Sequence, residues 1–86
     1  MTASYKLSIR KSAERELRKI PKRDLGPLVE KIHRLSANPR PQGCQKLSSA
    51  DAYRIRHGDW RVVYAVDDES HEVTIDKIGN RREIYR

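Results

Sequence analysis

The chain opens on strict alternation of apolar and polar residues: Tyr5-Lys6-Leu7-Ser8-Ile9-Arg10 has the period of a half-buried β-strand. The period then lengthens. Ser12 can cap a helix in which Ala13, Leu17 and Ile20 fall at i, i+4 and i+7, with Glu14 and Glu16 near the positive end of its dipole. Pro21 terminates that helix, and Asp24 begins a second. Its stripe of Leu25, Leu28, Val29, Ile32 and Leu35 runs to a stop at Asn38-Pro39. Residues 40–51 hold Pro41, Gly43, Cys44 and serines with little periodicity, which reads as a loop with a short extended piece around Lys46-Leu47. Three strands follow: Ala52 to Arg56, then Trp60 to Val66 beyond a His57-Gly58-Asp59 turn, then Glu72 to Ile78. Gly79-Asn80 breaks the pattern, and RREIYR closes the chain as one more short strand.

The order β-α-α-β-β-β predicts an α+β fold, a small antiparallel β-sheet packed on an N-terminal helical hairpin. Eighty-six residues is a one-domain length, so residues 1–86 are expected to form one domain with a thin core. Charged residues reach 36% of the chain, yet the patterned apolar positions argue for a folded domain and against a disordered tail. The single Cys44 can form no internal disulfide, and no apolar run approaches the roughly 18–20 residues of a membrane span. A cytoplasmic protein without membrane partners is expected.

Charge changes the picture. The formal net charge is +7, and residues 1–46 carry twelve Lys and Arg against four acids while residues 47–86 carry seven against eight. Such a field favours polyanions, nucleic acid above all, or an acidic protein partner. In the second half Asp67, Asp68, Glu69 and Glu72 crowd one turn, so the arginines elsewhere have few local counter-charges. Alternation sorts the late strands: Tyr53 and Ile55 point one way and Arg54 and Arg56 the other, while Trp60, Val62 and Tyr64 oppose Arg61, Val63 and Ala65. The helices cover one face only, so Arg54, Arg56 and Arg61 are expected on the uncovered face, within reach of one ligand. Guanidinium groups offer planar, bidentate donors that match phosphate oxygens. Arg54 and Arg56 can also be read as solvated strand-face charges, and Arg61 as a partner of Asp59 or Asp76. Trp60, Tyr64, Tyr53 and Tyr5 read as core, and His57, His33 and His71 as surface residues. Cys44 reads as an ordinary thiol, and no Cys/His spacing suits a metal.

With YRIR at 53–56, GDWRVVY at 58–64 and GNRREIY at 79–85 in this order, the chain resembles the RelE/ParE toxins of bacterial type II toxin–antitoxin systems. The resemblance covers nearly the whole chain. It implies a small sheet packed on two helices and a cognate antitoxin that neutralises the protein. In the RelE branch it implies a metal-independent endoribonuclease without cofactors, cutting messenger RNA in the ribosomal A site amid ribosomal RNA. In the ParE branch it implies a non-enzymatic inhibitor of DNA gyrase. A relic that binds its antitoxin and cuts nothing is a third reading.

By position, the activity of RelE-type members falls on Arg54, Arg56, Arg61, Arg81 and Tyr85. Arg54, Arg56, Arg82 and Lys46 are expected to hold RNA. The chain departs from the family where relatives often carry lysines at 54 and 56 and a histidine at 80. Arginine exchanges protons poorly, so the resemblance implies charge stabilisation at these positions more than proton transfer.

Overall fold

The computed structural model describes residues 4–48 and 51–80. Its elements are β1 (Lys6–Ile9), α1 (Lys11–Arg18), α2 (Lys22–Arg34), β2 (Gln45–Lys46), β3 (Ala52–His57), β4 (Trp60–Asp67) and β5 (Glu72–Asn80). The order matches the pattern read from the sequence, including the short extended piece, which is β2. The closing RREIYR segment lies outside the described residues.

Local chemistry explains most boundaries. α1 starts one turn-step earlier than a serine cap would dictate: Arg10 is its N-cap, no side chain caps it, and Ser12 lies inside it. Pro21 is both the stop after α1 and the N-cap of α2, its carbonyl accepting the N–H groups of Asp24 and Leu25. That fits a residue whose fixed φ suits a helix start. Leu28, Ile32 and Leu35 from α2, with Ala13 and Ile20, are buried against the sheet residues Tyr53, Ile55, Val62, Tyr64, Val66, Val73, Ile75 and Ile78. The expected apolar stripes are therefore the ones that bury. Ile9 is the exception, exposed on its edge strand, and Tyr5 is only half-buried.

The sheet runs β1-β5-β4-β3-β2. The late strands are antiparallel neighbours as expected, but β1 pairs with β5 in parallel, Lys6 opposite Glu72 through Ile9 opposite Ile75. The sheet is thus mixed and not purely antiparallel. The connection between them runs through α1, α2 and strands β2 to β4, well beyond the length parallel pairing needs.

One irregularity redirects the end of β5. In the β4–β5 ladder Val63 faces Lys77 and Tyr64 faces Ile75, so Asp76 is an extra residue on β5. A bulge of this kind breaks the two-residue period and turns the next side chains over. Ile75 and Ile78, three apart, both enter the core as a result.

Two polar ties fix the far end. Tyr64 is fully buried, and its hydroxyl donates to Pro39 O at 2.7 Å. Burial holds its phenol above the usual range. Arg40 reaches the β4–β5 turn, its Nη1 and Nη2 donating to the Asp68 carboxylate at 3.2 and 2.8 Å and its Nε to Tyr53 Oη at 2.9 Å. The Tyr5 hydroxyl donates to the same carboxylate at 2.7 Å. Hydrogen bonds from Arg40 first, then Tyr5, hold Asp68 below the usual carboxylate range.

Tyr64→Phe should lower unfolding free energy by about 1–2 kcal/mol, because the Pro39 carbonyl is left buried without its donor; urea titration checks this. A depressed carboxylate contributes stability above its unfolded pKa of about 4 and loses it as pH falls through the lower folded value. Wild-type stability should therefore drop below about pH 4 more steeply than that of Asp68→Asn, measured by urea titration across the acid range.

Candidate functional site

The β3–β4 hairpin sets the geometry of the arginines. His57 pairs with Trp60, leaving Gly58 and Asp59 as a two-residue turn, and Gly58 takes the positive φ (59°) that such a turn requires at its first position. The register then puts Arg56 directly opposite Arg61 and Arg54 opposite Val63. Directly opposed residues share a face, so all three arginines stand on the side away from Tyr53, Ile55, Val62 and Tyr64.

The next strand completes the surface. Lys77 faces Val63 and Gly79 faces Arg61. Two rows result, Arg54–Val63–Lys77 and Arg56–Arg61–Gly79, each crossing three strands. With strands about 4.8 Å apart, Arg54 and Lys77 lie roughly 10 Å from each other across Val63, and Gly79 leaves the β5 end of the second row low. An anion resting there would have cations on several sides.

Lys77 was not among the residues singled out from the sequence. Regular alternation from Val73 and Ile75 would send it into the core, and the extra residue Asp76 is what brings it to the arginine face. The signal available beforehand was the three-residue spacing of Ile75 and Ile78.

The individual cations differ. Arg56 is exposed. Arg54 is half-buried and donates through Nη2 to Gln45 Oε1, its opposite number on β2. Arg61 does not stand open as expected. It is only 8% exposed, with Nη1 donating to Gly58 O at 2.9 Å and Trp60 O at 3.2 Å. Among the described residues it pairs with neither Asp59 nor Asp76, and Asp76 sits instead 3.4 Å from Arg10. The two carbonyls are both held by one nitrogen of the guanidinium.

Of the other expected site residues, Lys46 is opposite Tyr53 and so lies on the helix side, away from the cluster. Arg81, Arg82 and Tyr85 lie outside the described residues. Asn80, the residue before Arg81, pairs with Trp60, so β5 ends beside the hairpin tip that carries Arg56 and Arg61. Trp60 is half-buried and its indole N–H approaches Asp24 Oδ2 at 3.4 Å, in keeping with a core role. Among the described residues no three His, Cys, Asp or Glu side chains gather as a metal site would need, and no helix is long and apolar enough to cross a membrane.

Residues 7–85 match the family model of the ParE toxin of the type II toxin–antitoxin system parDE. The chain belongs to the RelE/ParE superfamily of type II toxins. It is 37% identical to toxin RelE of Mycobacterium tuberculosis over 95% of this chain and 87% of that protein. It is 33% identical to toxin RelG of the same organism, over 95% and 97% respectively. Among solved structures, the archaeal RelE–RelB complex from Pyrococcus horikoshii aligns with a TM-score of 0.83 at 29% identity, covering 93% of this chain and 98% of that one. The isolated E. coli RelE toxin aligns with a TM-score of 0.80 at 28% identity, covering 95% and 92%. This superfamily fold is therefore the frame in which the two basic rows sit.

Because Arg61 ties down its own hairpin and Arg56 does not, their truncations should separate. Arg61→Ala should destabilise by about 1–2 kcal/mol and Arg56→Ala by less than about 0.5 kcal/mol, as read from thermal and urea unfolding.

Proposed function

We propose that this toxin is a ribosome-dependent endoribonuclease that cuts messenger RNA in the A site and is neutralised by a cognate acidic antitoxin. The observation that carries the reading is the gathering of Arg54, Arg56, Arg61 and Lys77 on the sheet face turned away from the helices. Cutting needs no outside nucleophile: the 2′-OH of RNA attacks the adjacent phosphorus, the bond to the 5′-oxygen breaks, and a 2′,3′-cyclic phosphate and a free 5′-OH result. The proton lost by the 2′-OH and the one gained by the 5′-oxygen balance.

Charge builds on the phosphate oxygens in the transition state, where preorganised donors act most strongly. Arg61, anchored to Gly58 O and Trp60 O, is preorganised in that sense. Arg81, next in sequence after Asn80, shares that role, and Arg54 and Arg56 grip the backbone. Tyr85 orients the nucleophile or stacks on a base. Guanidinium groups hold their protons too tightly to exchange them. Lys77 brings an ammonium to the same face, a further cation beside the phosphate. Positioning by the ribosome supplies much of the remaining rate. The antitoxin follows from relatives solved as RelB–RelE complexes and from the +7 charge, which suits an acidic partner.

The matching family model is that of ParE, which favours a second reading, a non-enzymatic inhibitor of DNA gyrase. Expression followed by mapping of message 5′ ends separates the two. In-frame cuts that fall roughly 10²–10³-fold in Arg56→Ala or Arg81→Ala are expected. Intact messages with DNA breaks trapped on gyrase would replace the nuclease reading with the second.

A further inference from the structure

The basic surface does not stop at the sheet face. β2 pairs with β3 only at Tyr53 and Arg54. Beyond them the outer edge of β3 borders a cleft of about 310 Å³, formed by Lys31 and Arg34 of α2, Gln42 and Gly43 of the loop before β2, and Ile55 and Arg56 of β3. Three of these residues are cationic, and none of the lining residues is acidic. Lys31 Nζ donates to the edge carbonyl of Arg56 at 2.9 Å, which keeps its charge at the mouth of the cleft. Arg34 is held by Glu30 at 2.7 Å, but that side chain is 73% exposed, and an exposed i,i+4 pair is worth only a few tenths of a kcal/mol. A phosphate can compete for it. Gly43 has a φ of 92°, and nothing lies within 4 Å of where a Cβ would be, so the loop backbone is open to close approach.

We infer that this cleft is a subsite for the single-stranded RNA segment flanking the scissile link, with Lys31 and Arg34 sharing one of its phosphates and Arg56 at the border with the sheet face. The inference rests on the nuclease reading of the sheet face. Arg56 borders both places: its carbonyl meets Lys31 at the edge cleft, while its side chain stands in the sheet-face row opposite Arg61. A ligand charged at every step can be gripped at both without leaving the protein, and the apolar wall of Ile55 with the Gln42 amide suits a base and its edge. An acidic peptide would satisfy Lys31 and Arg34 but gains nothing from the neighbouring sheet face.

The test is equilibrium binding of the full chain to a 2′-O-methyl trinucleotide and to a 2′-O-methyl decanucleotide, neither of which can be cut, over a series of salt concentrations. Lys31→Gln and Arg34→Gln should each weaken decanucleotide binding several-fold and reduce its logarithmic salt slope by about 0.7, the value for one lost phosphate contact on a single strand. Trinucleotide binding should stay as in the wild type, and Glu30→Gln should tighten the decanucleotide by releasing Arg34. Arg34 is exposed, so its variant keeps the test valid even if Lys31→Gln fails to fold. Unchanged slopes in both variants overturn the inference, as does equal weakening of both oligonucleotides. Loss of affinity for a polyglutamate peptide with RNA binding intact also overturns it and makes the cleft a protein site. Messages that are cut on ribosomes while the variants bind RNA normally leave the nuclease reading standing and remove only the cleft. Uncut messages with Lys31-dependent decanucleotide binding do the reverse.

Discussion

The pairing of β4 with β5, with one residue too many on β5, is the constraint on which the rest depends. Upstream of Asp76 the strand buries Val73 and Ile75; downstream it buries Ile78 and sets Gly79 beside Arg61. A regular ladder would drive the Lys77 ammonium into an apolar layer, where a charge costs several kcal/mol, and would leave Ile78 in water. The bulge solves both problems at once. It packs the core and turns the amine toward the arginines.

Gathering like charges on one small face opposes folding, because each cation disfavours the next. The protein offsets this unevenly. Arg61 is tied to main-chain carbonyls and Arg54 to the Gln45 amide, neutral acceptors that leave the positive potential intact. Among the described residues, carboxylates form exposed helix pairs such as Glu14 with Arg18 and Glu30 with Arg34, and Asp68 pairs with Arg40 at the far turn. Surface pairs of the first kind contribute little. The far turn thus holds the structural ion pair.

Much of the architecture was legible because it is local. Two-residue alternation in β3 and β4 placed the arginines on a common face, the i, i+4, i+7 apolar positions gave both helices, and Gly58 marked the hairpin turn. What was not legible came from partners distant in the chain. The parallel docking of β1 on β5 joins segments far apart in the chain, which period alone does not reveal. Pro27 lies inside α2 and locally argues for a break, but here the apolar stripe was the better guide: Leu28, Ile32 and Leu35 are buried and the helix continues from Lys22 to Arg34. Arg61 read as an open cation since alternation gives a side chain's face but not the carbonyls it then folds onto. Lys77 was missed because one inserted residue inverts every assignment after it.

The placement of β1 has a consequence for how the molecule comes into being. In the sheet its hydrogen-bonding neighbour is β5, more than sixty residues later, so an early segment must wait for a much later one before its edge is satisfied. The helical hairpin can form early, but the sheet closes only once residues 72–75 have emerged. Non-local pairing of this sort slows acquisition of the native state. A partly synthesised chain therefore carries the basic helices without the assembled arginine face, and the surface proposed to do harm matures late.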